Sequence, residues 1–181
     1  MLKIEGLNKT FKGQLFEKSA HVLKNMEFEV QAGKVTGFVG VNGAGKTTSL
    51  KCALGFIKPD SGKITFFNKG PLTSELKRGI GYLPERPYYH DFLTASQFLK
   101  FHWDLTGGGE GFEDRAHEIL NKVNLPNVFN RYLRSFSKGM LQRIGMAQAM
   151  LRRPEFLILD EPMSGLDPDG RVIIKDIIIE Q

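Results

Sequence analysis

Cysteine is nearly absent: Cys52 stands alone in 181 residues, which excludes an internal disulfide framework. Its neighbours Ala53 and Leu54, in an apparent helix, suit a small buried hydrophobe and not a reactive thiol. Histidine is also scarce. His21, His90, His102 and His117 are scattered without metal-ligand spacing, so no metal site built on imidazole is expected. No apolar run approaches the ~20 residues that span a bilayer. The longest, Phe156 to Leu159 and Val172 to Ile179, are short or interrupted by Lys175 and Asp176. The opening residues, Met1-Leu2-Lys3-Ile4-Glu5, lack the apolar stretch of a signal peptide. A cytoplasmic location is expected, with any membrane role exercised through a partner. There is no internal repeat, no low-complexity tract and no dense Lys/Arg block of the kind that marks a nucleic-acid footprint.

Hydrophobic residues make up 41% and charged residues 25% of the chain, an ordinary globular composition of single-domain length. The formal net charge of +5 is compatible with nucleic acid, an anionic membrane surface or a phosphate ligand, and does not choose among them. Alternation over Leu2 to Leu7 and Met26 to Val30 predicts two opening strands, with a turn at Ala32-Gly33. Lys34 to Val39 reads as a third strand, rich in β-branched and aromatic residues, and Lys46 to Phe56 as a helix. Lys63 to Phe67 and Ile80 to Leu83 read as further strands. Thr94 to Leu105 and Glu113 to Val123 are helical in pattern, separated by Gly107-Gly108-Gly109. Met140, Ile144, Ala147 and Leu151 share one face of another helix that Ser137 can cap and Pro154 stops. Phe156 to Leu159 reads as a central parallel strand buried on both faces, and Asp169 to Ile179 as a closing helix.

Gly40-Val41-Asn42-Gly43-Ala44-Gly45-Lys46-Thr47 matches G-x-x-x-x-G-K-[ST] in full, between a predicted strand and a predicted helix. Glycines let successive backbone N–H groups turn toward one anion, and the helix start adds a favourable dipole. Asn42, Gly43, Ala44, Gly45, Lys46, Thr47 and Thr48 are therefore candidates for binding ATP. Lys46 is expected to reach the β and γ phosphates, and Thr47 to hold Mg2+. Phe156 to Leu159 leads into Asp160-Glu161-Pro162, two carboxylates at a buried strand end, costly there unless they serve a cation or a reaction. Asp160 is expected to orient the metal and Glu161 to act as general base on the attacking water.

With these motifs in order, the chain resembles the nucleotide-binding domain of ATP-binding-cassette transporters over essentially its whole length. Phe136-Ser137-Lys138-Gly139-Met140, followed by Leu141-Gln142-Arg143, resembles the signature that usually reads L-S-G-G-Q. Ser164-Gly165-Leu166-Asp167 resembles the D-loop, and Gly81-Tyr82-Leu83-Pro84-Glu85 the segment ending in the Q-loop glutamine. Phe11 lies near where the family sets an aromatic ring against adenine, with Phe16 as the competing choice. The resemblance implies an α/β P-loop NTPase fold with a RecA-like core, an antiparallel β subdomain and an inserted α-helical subdomain. It places the core at about 1–84 and 153–181 and the helical part at about 85–152 of a single domain. It further implies a head-to-tail pair of such domains, expected to be a homodimer. Ser137 and Gly139 of one copy would meet ATP held by the other, and Asp167 would line the interface. A separate integral-membrane permease subunit would hold the pair at the inner face of the cell membrane.

Three residues depart from the family pattern. Glu85 stands where the Q-loop glutamine is usual, and is carried over as a candidate for magnesium or water contact in catalysis. Lys138 and Met140 replace a glycine and a glutamine, marks shared with a subgroup of bacterial exporters. The aromatic stretch Pro87 to Phe92 is either a docking surface for the permease or packing beneath the helical part, and the sequence leaves both open. The family also has a further core strand and a histidine that contacts the γ phosphate, and no histidine here lies beyond His117. These residues alone are accordingly expected to bind nucleotide weakly and turn it over slowly or not at all. The competing class is a soluble cassette ATPase acting on nucleic acid or ribosomes. Such proteins usually carry paired cassettes or coiled-coil insertions, and neither is present here, so no nucleic-acid partner is expected. A noncatalytic nucleotide-binding partner is disfavoured by Lys46, Asp160 and Glu161 together.

Overall fold

The computed structural model describes residues 1–13 and 19–180. The chain divides into two compact units, residues 1–77 and 78–181.

In the first unit, β1 (Leu2–Phe11), β2 (Ala20–Val30) and β3 (Ser61–Phe66) form an antiparallel sheet in the order β2-β1-β3. Leu2, Ile4 and Leu7 are buried from β1, with Leu23 of β2 and Phe66 of β3. Strict alternation would turn Leu7 away from Leu2 and Ile4. Gly6, at φ 58°, sits where the register against β2 shifts between Ile4 and Leu7. This bulge restores Leu7 to the inward face. Helix α1 (Lys46–Ala53) starts where expected, and α2 (Ser74–Lys77) is a single turn.

The predicted strand over Lys34 to Val39 does not form: these residues carry no ladder pairing among the described residues. Val35 is 69% and Val39 92% exposed. Strand propensity is largely a measure of packing on a pleated surface beside neighbours, and this segment lacks the neighbour that would make it a strand.

In the second unit, α3 (Ala95–Leu105), α4 (Phe112–Lys122), α5 (Lys138–Met150) and α6 (Pro168–Glu180) accompany a parallel pair, β4 (Ile80–Leu83) and β5 (Phe156–Leu159). Thr94 opens α3 with a reciprocal capping box: its hydroxyl accepts from the Gln97 amide, and the Gln97 side chain accepts from the Thr94 amide. Phe98, Leu99, Ile119, Leu120, Ile144, Ala147 and Leu151 form the core. Arg115 donates to the carbonyls of Met150 and Leu151 at the end of α5, where helix carbonyls lack intrahelical partners, and the Arg153 amide also donates to Met150. β5 is less enclosed than expected. Ile158 is buried but Phe156, Leu157 and Leu159 are only partly so, because β5 pairs with β4 and with no other strand among the described residues.

Cys52 is 3% exposed, and burial pushes its thiol pKa up. A colorimetric thiol reagent is therefore expected to label it only after denaturant is added; fast labelling of the folded protein would contradict this packing.

Candidate functional site

The phosphate loop lies in the first unit. Gly43 (φ 83°) and Gly45 (φ 87°) take left-handed conformations, and the Ala44 amide closes a turn onto the Val41 carbonyl at 3.1 Å. Gly45 is buried under β2: a Cβ there would lie 2.6 Å from Leu23 Cδ2 and 3.1 Å from the Val22 carbonyl oxygen. Glycine thus lets α1 begin hard against the sheet. That helix start has no side-chain cap and no acidic residue in its first turn, and the positive end of its dipole suits an external anion. Lys46 Nζ donates to the Gly40 carbonyl at 2.6 Å and to Val41 at 3.3 Å, which keeps the ammonium at the loop. Thr47 and Thr48 follow in the first turn of α1, half-buried, while Asn42, Gly43 and Ala44 are exposed.

Phe11 ends β1 opposite Ala20 and is 40% exposed, with Lys9 Nζ 5.7 Å from its ring centre. The strand facing it, β2, is the one whose Val22 and Leu23 support Gly45. The competing Phe16 lies outside the described residues.

The acidic residues lie in the second unit. Because β4 and β5 run parallel and Leu83 pairs with Leu159, both strands end at one level. The Asp160 amide extends the ladder to the Leu83 carbonyl at 2.9 Å. Glu85, Asp160 and Glu161 consequently leave the same end of the pair, the carboxyl end where open α/β sheets hold ligands. Asp160 is 5% exposed. Its charge adds to burial in raising the pKa of Tyr82. Glu161 is exposed, with its backbone in the left-handed region at φ 52°. Glu85 is also exposed, and its carboxylate lies 3.6 Å from Arg86 Nε. Among the described residues, no three His, Cys, Asp or Glu side chains converge as a metal cage. The candidates Thr47, Asp160 and Glu85 are all oxygen donors of the hard type Mg2+ prefers.

At the start of α5 the Ser137 hydroxyl accepts from the Met140 amide at 3.2 Å, so it is a helix cap as the sequence suggested. Its substitution by alanine is expected to cost about 1 kcal/mol, measurable by urea unfolding. Ser137 is exposed and Gly139 half-buried. Asp167 precedes Pro168 at the first position of α6 and accepts from the Gly170 amide at 2.9 Å: it too caps a helix.

Of the aromatic stretch, the structure separates two neighbours. Tyr89 donates from its hydroxyl to the Leu141 carbonyl at 2.6 Å and packs on Phe98, and burial raises its pKa strongly. Tyr88 is 82% and Phe92 66% exposed. They flank His90, which lies 5.2 Å and 5.6 Å from their rings and 6.2 Å from that of Phe101. Packing thus describes Tyr89, and an open aromatic surface describes Tyr88 and Phe92.

Sequence reasoning missed Gln142. It is 7% exposed and donates through Nε2 to the Pro162 carbonyl at 3.0 Å. The available signal was its helical position in line with Gly145, Met146 and Ala149, a polar side chain in a buried stripe.

Residues 23–164 match the family described as ABC transporter. An ABC transporter ATP-binding protein of Synechocystis, sll0415, is 44% identical over 162 residues, covering 87% of this chain and 45% of the relative. The lantibiotic transport ATP-binding protein SrtF of Streptococcus pyogenes is 35% identical over 178 residues, covering 98% of this chain and 73% of the relative. Among solved structures, the ATP-binding cassette MJ0796, a dimer in a post-hydrolysis state bound to ADP and Pi, superposes with a TM-score of 0.86. It is 25% identical, with 99% of this chain and 84% of that chain covered. The chain spans about half the length of several curated relatives it matches. By the family match over residues 23–164 and this structural similarity, the chain belongs to the ABC transporter family and has the P-loop NTPase fold of its ATP-binding domains.

Proposed function

We propose that these residues are the catalytic part of an ATPase subunit that drives transport, outward in direction, through a separate membrane permease. The observation that carries the hydrolytic reading is the contrast at the end of β5. Asp160 is buried, whereas Glu161 is turned out to solvent by a left-handed backbone. In this reading Asp160 would hold charge and Glu161 would take a proton. The phosphate loop amides and Lys46 would grip the β and γ phosphates, and Glu161 would accept a proton from the water that attacks the γ phosphorus. Mg2+, when bound by Thr47, Asp160 and Glu85, would neutralise charge on the phosphate oxygens. Phe11 would stack on adenine.

In this reading two copies pair head to tail, with Ser137 and Gly139 of one facing the nucleotide of the other and Asp167 at the same interface. Both hydrogen-bonded caps leave this possible, since a capping hydroxyl or carboxylate on an exposed helix end retains unused acceptor capacity. The relative named for lantibiotic transport supports transport over a role on nucleic acid or ribosomes. No helix among the described residues is long and apolar enough to cross a membrane, so a permease would supply the spans and hold the subunit at the inner membrane face. The test is ATP turnover by the whole protein with Mg2+ and with chelator, and co-purification with the permease. Chelator-resistant turnover, or no turnover at all, would overturn the reading.

The surface of Tyr88 and Phe92 is where the permease is expected to dock. Replacing both with alanine should weaken co-purification about tenfold or more with ATP binding unchanged. Tyr89→Ala should instead cost about 3 to 5 kcal/mol of stability, because it leaves a void beside Phe98 and removes the hydroxyl's bond to the Leu141 carbonyl. A Tyr88/Phe92 double variant with full association would remove this surface from the interface.

A further inference from the structure

We infer that Gln142 is a positioning residue for Glu161, so that α5 sets the general base of its own protomer. The inference rests on the catalytic role proposed for Glu161. A primary amide in the buried stripe of α5 is costly unless paired, by about 1 to 3 kcal/mol. Gln142 meets that cost with one defined bond, from Nε2 to the Pro162 carbonyl at 3.0 Å. The carbonyl it holds belongs to the residue after Glu161, whose φ of 52° is a conformation that a residue with a Cβ adopts only at a cost of about 1 to 3 kcal/mol. Such a kink persists where the surroundings fix it. On the local side, the Ser164 amide donates to the Glu161 carbonyl at 3.0 Å. On the distant side, Gln142 reaches across from α5 to the Pro162 carbonyl.

The same helix touches this loop a second time. The Lys138 side chain lies across Gly165, close enough that a Cβ there would collide with its Cδ and Cε. Leu166 approaches Gly139, its Cδ2 3.7 Å from where a Cβ would stand. The first turns of α5 therefore meet residues 162–166 at Pro162, Gly165 and Leu166. Ser137 and Gly139, proposed to face the nucleotide of the partner copy, begin the helix that orients Glu161 toward its own.

The test is steady-state and single-turnover ATP hydrolysis by the whole protein carrying Gln142→Met, close in size but without a donor. Turnover number is expected to fall about 10- to 100-fold, with KM for ATP within about threefold. In the Glu161→Gln background, Gln142→Met is expected to cause no further loss of residual single-turnover hydrolysis, since a residue acting only through Glu161 has nothing left to act on. An unchanged turnover number, a rise in KM that accounts for the loss, or the same fold loss in both backgrounds would overturn the inference. If Gln142→Met does not fold, judged by circular dichroism and thermal melting, Gln142→Glu measured at alkaline pH keeps the side-chain volume and removes the donor, and must show the same pattern. If Glu161→Gln alone leaves hydrolysis intact, the proposed role of Glu161 fails first, an outcome separate from failure of the Gln142 link.

Discussion

Glu161→Gln is expected to lower ATP turnover by the whole protein about 10²- to 10⁴-fold while nucleotide affinity stays within a few-fold. The substitution is nearly isosteric, and glutamine meets the left-handed backbone at φ 52° with the same Cβ that glutamate does. The turn closed by Ser164 onto the Glu161 carbonyl is therefore retained. What disappears is the ability to accept a proton from water. The contrast is Asp160→Asn, which alters a side chain buried at the end of β5 and is expected to disturb the local packing along with metal binding. Single-turnover hydrolysis beside equilibrium ATP binding measures both quantities in one sample. Turnover retained in Glu161→Gln would move the general base elsewhere, and a parallel collapse of binding would mean that the residue holds structure.

Gly45→Ala is the second large effect, and it acts on binding. Two penalties coincide at this position. A φ of 87° is strained for any residue with a Cβ, by about 1 to 2 kcal/mol. The added methyl would also stand 2.6 Å from Leu23 Cδ2 and 3.1 Å from the Val22 carbonyl. Leu23 is fully buried in the sheet and cannot yield without opening the core, so the start of α1 must move away from β2. The amides that would cradle phosphate move with it. Affinity for a fluorescent ATP analogue is expected to fall about 100-fold or more, the effect of a misplacement near 1 Å. Gly43→Ala is the control. Its φ of 83° carries similar backbone strain, but a Cβ there meets nothing within 4 Å, so a loss of about tenfold is expected from strain alone. Equal losses in the two variants would show that packing against β2 contributes nothing.

The elements legible in sequence were those fixed by short-range chemistry. α1, α3, α4 and α5 start within a residue or so of the positions that caps, glycines and apolar spacing indicate. Ser137 and Thr94 cap as their side chains allow. The unformed strand at Lys34 to Val39 was illegible for the opposite reason. Its composition is that of a strand, but a strand is completed by a neighbour far along the chain, and composition does not say whether that neighbour is in place. Tyr88 and Tyr89 show the same divide within two adjacent residues of identical type. Only the packed structure sends one to the Leu141 carbonyl and leaves the other in solvent.

The sequence by itself determined the family, because its motifs are runs of consecutive residues, such as Gly40 to Thr47, whose local conformation needs only backbone freedom and one helix start. Only the tertiary structure decided that Gly45 is wedged against β2, that Glu85 and Glu161 leave one end of a parallel pair, and that Gln142 holds the Pro162 carbonyl. Each of these contacts joins residues about 20 or more positions apart. Their partners are selected by burial and register, which depend on how the whole unit packs and not on the residues that flank them.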